Sequence, residues 1–289
     1  MESYNKYLPD VSAVVHEAIK HLEMLYHRKE SIHGIPTGFK KLDKMTAGFQ
    51  GGDLIVFAGL PSTGKSLICS NMAEHMAVYE ARSVAYFSLE MSSIQVVLRM
   101  ISSMAAIDIL KMRAGFLSED DWCKIKAAGN SLTASKIHFD DAPAQTVYDI
   151  RWKAILRKAK AGLDILFIDD LGLIMEHRQP ENRTHEIREI IRCLKDLARE
   201  LNIPVVVTSK LMKKGKGPLG KQPQEVNFGE FGAIEQFADL VCLVNRKIYD
   251  FIEEAGSSSA EIIIVKHRNG PIGKIPLVFS NSFIRFDNP

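Results

Sequence analysis

The residues with the clearest chemical potential form a glycine-rich loop that ends in a lysine and a serine, Gly59-Leu60-Pro61-Ser62-Thr63-Gly64-Lys65-Ser66. The loop follows the apolar run 54–58 and leads into a helix-like stretch at 67–79. This context favours a phosphate site over a glycine turn that only caps a helix. Glycines let successive backbone N–H groups turn around an anion, Lys65 reaches the outer phosphates, and the Ser66 hydroxyl ligates magnesium. The sequence therefore predicts a nucleoside triphosphate site formed by Gly59, Pro61, Ser62, Thr63, Gly64, Lys65, Ser66 and Leu67.

Two acidic residues at the ends of predicted strands are candidates to complete that site. Asp169 follows the continuously apolar run 165–168, where a carboxylate holds magnesium directly or through water. Glu90 follows another strand-like run, where a carboxylate orients and polarises the water that attacks the γ-phosphorus. Alternatively, Glu90 is a helix N-terminal glutamate favoured by the dipole, with Ser88 or Ser92 as the cap. Spacing alone leaves both interpretations of Glu90 open.

The elements that must position these residues alternate between strand and helix along most of the chain. Such alternation is typical of an α/β fold with a mostly parallel, twisted sheet covered by helices on both faces. The end of the chain predicts instead a C-terminal β-hairpin, 260–266 with 274–279, turning at Asn269-Gly270-Pro271. The predicted strands are 54–58, 84–88, 164–168, 204–208 and 239–244, and the predicted helices are about 66–80, 92–107, 118–134, 144–160 and 183–201.

Three segments fall outside this alternation. Residues 10–30 carry an apolar stripe at helical spacing, which predicts a separate N-terminal helix whose apolar face needs a partner. On the residues alone, the favoured partner is this chain's own core. Residues 31–36 predict a linker, because glycine and proline punctuate them. Residues 213–232 are rich in glycine, proline and lysine and show no periodicity, so they predict a long loop of the kind that is usually functional or disordered.

Length and composition describe an ordinary globular protein. The 289 residues are 46% hydrophobic and 25% charged, which fits one large domain with a small appendage. The net charge of +2 means that any nucleic-acid binding uses local patches. The four cysteines lie far apart and predict reduced thiols rather than a zinc site or disulfides. We find no signal peptide and no apolar stretch of about 18 residues, so we expect a cytoplasmic protein without a membrane partner.

A series of further motifs runs in order along residues 31–289. Besides the phosphate loop, they are Gly34-Ile35-Pro36-Thr37-Gly38-Phe39, Leu42-Asp43, Gly52-Asp53-Leu54, Ser88-Leu89-Glu90-Met91, Glu181-Asn182-Arg183, the stretch from Gly232 to Asp239, and Lys266-His267-Arg268-Asn269-Gly270-Pro271. Together they resemble the DnaB family of replicative helicases. Residues 8–30 are similar to the linker helix that precedes the ATPase domain in that family.

The resemblance implies a RecA-like P-loop ATPase domain over residues 34–289, assembled as a homo-hexameric ring with ATP and Mg²⁺ between subunits. Single-stranded DNA passes through the central channel, and residues 1–33 form a linker helix that packs on a neighbouring subunit instead of on this chain's own core. Glu90 becomes the catalytic carboxylate, while Lys266 and Arg268 reach the γ-phosphate bound by the neighbour. Primase binds an N-terminal helical domain that has no counterpart in these residues. A primase or a helicase loader is thus expected as a partner only through such a domain.

Near the nucleotide, this chain departs from the family pattern in two segments. The family usually has Ser-Gln-Leu-Asn-Arg after the strand at 204–208, where the glutamine senses the γ-phosphate; this chain has Ser209-Lys210-Leu211-Met212-Lys213. A lysine at that position either supplies charge to the phosphate, as a catalytic residue, or points into the channel. Asp170 and Gly172 stand where Tyr and Gln are common, and the sequence offers no physical account of those two changes.

The DNA-contacting stretch also departs from the family pattern. Gly229 replaces an arginine and Phe231 replaces a serine. Backbone N–H groups from Glu230 to Gly232 can still bind phosphate, and Phe231 either stacks on a base or tucks the loop onto the core. Upstream lysines replace the missing charge. The predicted DNA-binding residues are Arg183, Lys213, Lys214, Lys216, Lys221, Glu230, Phe231 and Gly232.

The leading hypothesis is therefore the motor domain of a hexameric, ATP-dependent DNA helicase that moves along one strand and unwinds duplex. A RecA-like recombination or clock-type ATPase shares the start of the domain and the phosphate loop, but not the late motifs at 232–239 and 266–271. The third hypothesis is a DNA-loading or scaffold protein that binds nucleotide and a partner without unwinding. Strand displacement separates the first hypothesis from the third.

Overall fold

The computed structural model describes residues 10–28, 31–175, 183–211, 228–246 and 257–289. The α-helices in these ranges are α1 (Val11–Arg28), α2 (Lys40–Thr46), α3 (Lys65–Val78), α4 (Ser93–Ala105), α5 (Ile109–Ala114), α6 (Glu119–Ala134), α7 (Val147–Ala161), α8 (Arg183–Leu201) and α9 (Phe228–Phe237). The strands are β1 (Leu54–Gly59), β2 (Val84–Ser88), β3 (Ile137–Asp140), β4 (Ile165–Asp169), β5 (Val205–Lys210), β6 (Leu240–Arg246), β7 (Ser257–His267), β8 (Gly273–Ser280) and β9 (Arg285–Asp287).

These strands form one sheet in the order β3-β2-β4-β5-β1-β6-β7-β8-β9. The first six strands of that order pair in parallel, and the last three continue the sheet antiparallel from β6. Carboxyl ends of parallel strands meet at one edge of a sheet, so the segments that follow β1, β2, β4 and β5 converge there. That edge holds the predicted phosphate loop and both predicted carboxylates.

The sheet separates two hydrophobic cores. Ile55 and Phe57 of β1 pack with α3, α4 and the antiparallel strands β7 and β8. Val56 and Ala58 face the other way and pack with α7, α8 and α9. Every residue of β1 is buried, which explains why its sequence is continuously apolar instead of alternating. The two cores fix β1 from both faces and hold the loop that follows it.

The predicted α/β architecture, its parallel strands and its terminal hairpin are confirmed. The structure adds the short elements α2, α5, β3 and β9, which the sequence patterns did not indicate. The prediction of a loop over 213–232 is wrong for residues 228–232, because they form the first turns of α9. Helix α9 forms there because Ala233 and Ile234 bury their side chains in the α8 core, which outweighs the poor helix propensity of the glycines.

The predicted N-terminal helix is present as α1, and no other described segment covers its apolar stripe. Val11 is 72% exposed, Leu22 62% and Tyr26 75%. The packing on this chain's own core that the residues alone favoured is therefore not formed. None of the helices in the described ranges combines the length and apolar character that a membrane crossing requires.

Candidate nucleotide site

The phosphate loop connects the buried end of β1 to the start of α3. Gly64 has a φ of 98°, in the left-handed region, and is the residue immediately before α3. A Cβ at Gly64 would lie 2.7 Å from the Phe286 ring of β9, so both the backbone conformation and the packing require glycine. The Lys65 side chain is buried, and its Nζ donates to the carbonyl of Leu60, 2.9 Å away, inside the loop. The backbone of the loop is thus preformed, and the Lys65 side chain lies inside the loop.

Behind the loop, Ser66 and Asp169 are joined directly. The Ser66 hydroxyl donates to Oδ1 of Asp169 at 3.0 Å, and Thr208 of β5 donates to the same oxygen at 2.6 Å. Burial raises the pKa of Asp169, while both hydrogen bonds oppose that increase. The Ser66 hydroxyl lies in the first turn of α3, and the Asp169 carboxylate lies beside it. Hydroxyl and carboxylate oxygens are ligands that Mg²⁺ prefers. The pair fits a magnesium ion, and Thr208 orients the carboxylate from behind, a supporting role that sequence spacing did not indicate.

Three carboxylates gather at this edge of the sheet. Glu90, Asp169 and Asp170 each place an oxygen within 4.8 Å of the others. Asp170, which the sequence left as an unexplained departure from the family, is 2% exposed and lies inside the site. Its Oδ1 accepts from the backbone N–H of Gly172 at 2.7 Å, and burial raises its pKa.

Glu90 does not begin a helix. Ser92 caps α4 and forms a reciprocal capping box with Gln95, whereas Glu90 lies outside the helix. Its Oε1 instead accepts from Nζ of Lys210 at 2.9 Å, and both side chains are 41% exposed. The interpretation of Glu90 as a helix N-terminal residue is therefore wrong. Lys210 points toward the nucleotide site and is level with Gly59 in the β1–β5 register.

An arginine at the end of β6 also reaches the loop. Arg246 donates to the Ser62 carbonyl at 3.1 Å, and its guanidinium lies 4.1 Å from the centroid of the Phe279 ring. Neither contact has a sequence signal, because β6 and the loop are far apart along the chain. Strand β1 lies between β6, which ends at Arg246, and β5, which ends at Lys210. Arg246 therefore contacts the middle of the loop from the side opposite Lys210.

Lys266 and Arg268 lie at the other edge of the sheet. Lys266 donates to the carbonyls of Glu235 and Ala238, and the backbone N–H of Arg268 donates to the carbonyl of Asp239 at 2.9 Å. Asp239 in turn donates its N–H to the carbonyl of Leu54, the first residue of β1, so this edge is one strand length, about 17 Å, from Gly59. Neither cation is placed to reach the phosphate loop of its own chain.

Asp239 organises the surroundings of Arg268. One oxygen of its carboxylate lies 3.2 Å from Nη1 of Arg268, and the other accepts from Lys195 at 2.5 Å and from the Leu54 N–H at 2.8 Å. Burial, together with the nearby Asp239 charge, raises the pKa of Asp53 to about 6. Neither Asp239 nor Lys195 could be identified as a functional residue from the sequence, because no spacing rule links them to residue 268.

Most predicted DNA contacts cannot be placed. Lys213, Lys214, Lys216 and Lys221 lie outside the described residues, as do the side chains of Arg183, Glu230 and Phe231. Gly232 lies in α9 and is exposed, on the same helix that packs against α8. The DNA-binding assignments therefore remain predictions.

Comparison with known proteins identifies relatives along the whole domain. The family model of the DnaB-like helicase C-terminal domain matches residues 34–288. The chain is 41% identical over 280 residues to the replicative DNA helicase DnaC of Bacillus subtilis, and 40% identical over 280 residues to the replicative DNA helicase DnaB of Geobacillus stearothermophilus. Each alignment covers 96% of this chain and 62% of the relative, so the chain spans less than two thirds of the length of these relatives.

Solved structures agree with those matches. One of them, a separate ATPase domain, is 31% identical and superimposes with a TM-score of 0.86, covering 95% of this chain and 98% of that one. A DnaB-like replicative helicase, studied for its interactions with primase, is 30% identical with a TM-score of 0.85, covering 98% of this chain and 68% of that one.

Proposed function

This chain belongs to the DnaB-like helicase C-terminal domain family, and on that premise we propose that it is the ATP-hydrolysing motor of a replicative DNA helicase. Its nucleotide would be ATP with Mg²⁺, its track single-stranded DNA, and its assembly a homo-hexameric ring. The observation that carries the proposal is the division of the charged residues between two opposite edges of the sheet. One edge holds the phosphate loop with the carboxylates, and the other presents Lys266 and Arg268.

The loop edge supplies the half-site that binds nucleotide. The backbone between Gly59 and Gly64 and the start of α3 would hold the phosphates, with Lys65 against the outer ones. Ser66 and Asp169 would hold Mg²⁺, which neutralises charge on the β- and γ-phosphates when it is bound. Glu90 would accept the proton of the attacking water as that water's oxygen bonds to the γ-phosphorus and the bond to the bridging oxygen breaks.

The opposite edge supplies cations to a neighbour. Asp239 holds the Arg268 guanidinium, and two backbone carbonyls hold the Lys266 ammonium group, so both cations are positioned within their own chain. Preorganised cations stabilise the charge that develops on the transferred phosphoryl group, and such a trans-acting arginine is worth about 10³ to 10⁵ in rate. A chain that carries the two halves on opposite edges would form head-to-tail contacts, and such contacts generate a ring when the rotation between neighbours closes.

The uncovered stripe of α1 supports the same assembly. Its exposed apolar residues, among them Val11, Ile19 and Leu22, need a surface that the described part of this chain does not provide. We assign that surface to the adjacent subunit, which keeps residues 1–33 as the linker and 34–289 as the ATPase domain. Contact with a primase or a loader would require segments other than those described.

The test combines hydrolysis with strand displacement of a forked duplex. The expected result is ATP hydrolysis stimulated by single-stranded DNA, with displacement that requires ATP, and loss of both activities in Lys65→Ala. Lys124→Ala serves as a matched control, because Lys124 forms only an exposed helical ion pair with Asp120. Retained hydrolysis in Lys65→Ala would refute the site. Efficient hydrolysis with no displacement would refute the helicase function and favour a DNA-loading or scaffold role.

A further inference from the structure

The pair formed by Lys210 and Glu90 has an unusual position for an ion pair. Lys210 is level with Gly59, the first glycine of the phosphate loop, and Glu90 is the carboxylate that is placed to act on water. The backbone N–H of Leu211 also donates to the Gly59 carbonyl at 2.9 Å, which fixes the main chain of Lys210 beside the loop. Both side chains are 41% exposed, so the pair is open to solvent. Lys210 is therefore held beside the loop by its backbone, and its ammonium group lies at the open side of the site.

The ammonium group of Lys210 occupies one of the two oxygens with which Glu90 could receive a proton from water. Its Oε1 accepts from Nζ of Lys210 at 2.9 Å, so a water molecule at that oxygen would have to displace the lysine. A γ-phosphate carries more negative charge than one carboxylate and would lie within the same reach, because Lys210 is level with the loop that binds it. A flexible lysine ammonium is suited to exchange one anionic partner for another.

Asp170 adds a negative charge beside the Lys210–Glu90 pair. Its Oδ1 is fixed by the Gly172 N–H, and its Oδ2 is buried with no hydrogen-bond partner among the described residues. The Asp170 charge acts on both Lys65 and Lys210, two cations that would otherwise repel each other in a small volume. The two departures from the family pattern, an added cation at 210 and an added anion at 170, thus lie in one site and balance each other.

We propose that Lys210 alternates between two anionic partners, Glu90 when no triphosphate is bound and the γ-phosphate of ATP when it is. Its transfer releases Glu90 to receive the proton of the attacking water. The exchange links the arrival of a third phosphate to the availability of the base, so ADP, which lacks that phosphate, leaves Glu90 paired. This inference rests on the proposed ATPase function of the same site.

The test is a double-mutant cycle on nucleotide affinity, which needs no turnover. Wild type, Glu90→Gln, Lys210→Gln and the double variant are titrated with Mg²⁺ and a β,γ-imido ATP analogue, and separately with Mg²⁺ and ADP. Breaking the Lys210–Glu90 pair is a cost of binding only when both residues are present. Glu90→Gln should therefore raise affinity for the analogue about two- to fivefold more with Lys210 present than in the Lys210→Gln background, the range expected for a half-exposed ion pair.

The deciding ratio is the gain in affinity from Glu90→Gln with Lys210 present, divided by the same gain in the Lys210→Gln background. Repulsion between Glu90 and the phosphate acts in both backgrounds and so cancels in this ratio. For ADP the ratio should be 1. The pair Lys124 and Asp120, an exposed ion pair on α6, provides a control cycle in which the ratio should be 1 for both nucleotides.

A ratio of 1 for the analogue would overturn the exchange, since Lys210 would then stay on Glu90 or act on neither group. A ratio above 1 that is equal for ADP would overturn it too, because the γ-phosphate would not be what draws Lys210. Failure of the ATPase function has a different signature: the wild type would not bind the analogue, or Lys65→Ala would bind it as well as wild type does. Thermal unfolding of each variant confirms that the two half-exposed substitutions leave the fold intact.

Discussion

The substitution Glu74→Gln tests how the helix behind the phosphate loop is held. Glu74 lies on α3, is 4% exposed, and its Oε2 has no hydrogen-bond partner within the described ranges. Burial raises the pKa of this carboxyl from its usual 4.5 to about 7, while the nearby Arg285 opposes that increase. The folded protein therefore binds this proton more tightly than the unfolded chain does. The protonated form is the one that the fold favours.

The difference in the pKa of Glu74 between the folded and the unfolded chain sets the sign and size of the effect on stability. The contribution of Glu74 to the free energy of unfolding is fully present below about pH 4.5 and is lost as pH rises through about 7. Each pKa unit is worth about 1.4 kcal/mol, so the ionised carboxylate costs the folded state about 3 kcal/mol at pH 8. Glutamine keeps the shape and removes the charge. Glu74→Gln should therefore stabilise the protein by up to about 3 kcal/mol at pH 8 and by little at pH 4.5.

Urea denaturation at the two pH values measures both free energies. Glu17→Gln is the control, because Glu17 is exposed in the middle of α1, away from both helix ends, so removing its charge relieves no burial. If Glu74→Gln destabilises the protein to the same extent at pH 4.5 and pH 8, the reasoning is refuted. In that case, attraction between the carboxylate and Arg285 would balance the cost of burial.

Three further substitutions probe the site itself. Gly64→Ala places a residue with a side chain in the left-handed region, against the Phe286 ring of β9, which costs about 1–3 kcal/mol of strain. Calorimetric titration should show weakened ATP binding, and unchanged binding would contradict the preformed loop. Thr208→Val removes the 2.6 Å hydrogen bond to Asp169, so the Mg²⁺ concentration that gives half-maximal hydrolysis should rise about tenfold; an unchanged Mg²⁺ requirement would rule out the supporting role. Asp239→Asn weakens the hold on Arg268, so kcat should fall about tenfold or more with little change in ATP affinity; a purely raised KM would place Arg268 elsewhere.

Local motifs made the nucleotide half of the site predictable. The phosphate loop, the strand before it and the helix after it depend on residues that are adjacent in sequence, so spacing and residue type were sufficient. Asp169 and Glu90 could be located as well, because strands buried on both faces are continuously apolar and their ends are visible in the sequence.

The rest depends on contacts between distant segments. Glu90 and Lys210 are 120 residues apart, and only the order β2-β4-β5 in the sheet brings their strands to one edge. The pairing of Asp239 with Arg268 likewise arises from the β6–β7 register. Local propensity even pointed the wrong way at 228–232, where glycines suggested a loop and packing against α8 produces a helix. Short edge strands such as β3 are equally hidden, because four residues carry too little periodicity to distinguish strand from coil.

The central claim is that each nucleotide site is completed by a neighbouring chain. Mixing two inactive variants, Lys65→Ala and Arg268→Ala, tests it most directly. Some interfaces in the mixture join an intact phosphate loop to an intact Arg268, so ATP hydrolysis should rise well above that of either variant alone. If sedimentation shows that the two variants assemble together and the mixture hydrolyses no more ATP than its components, the shared site is contradicted.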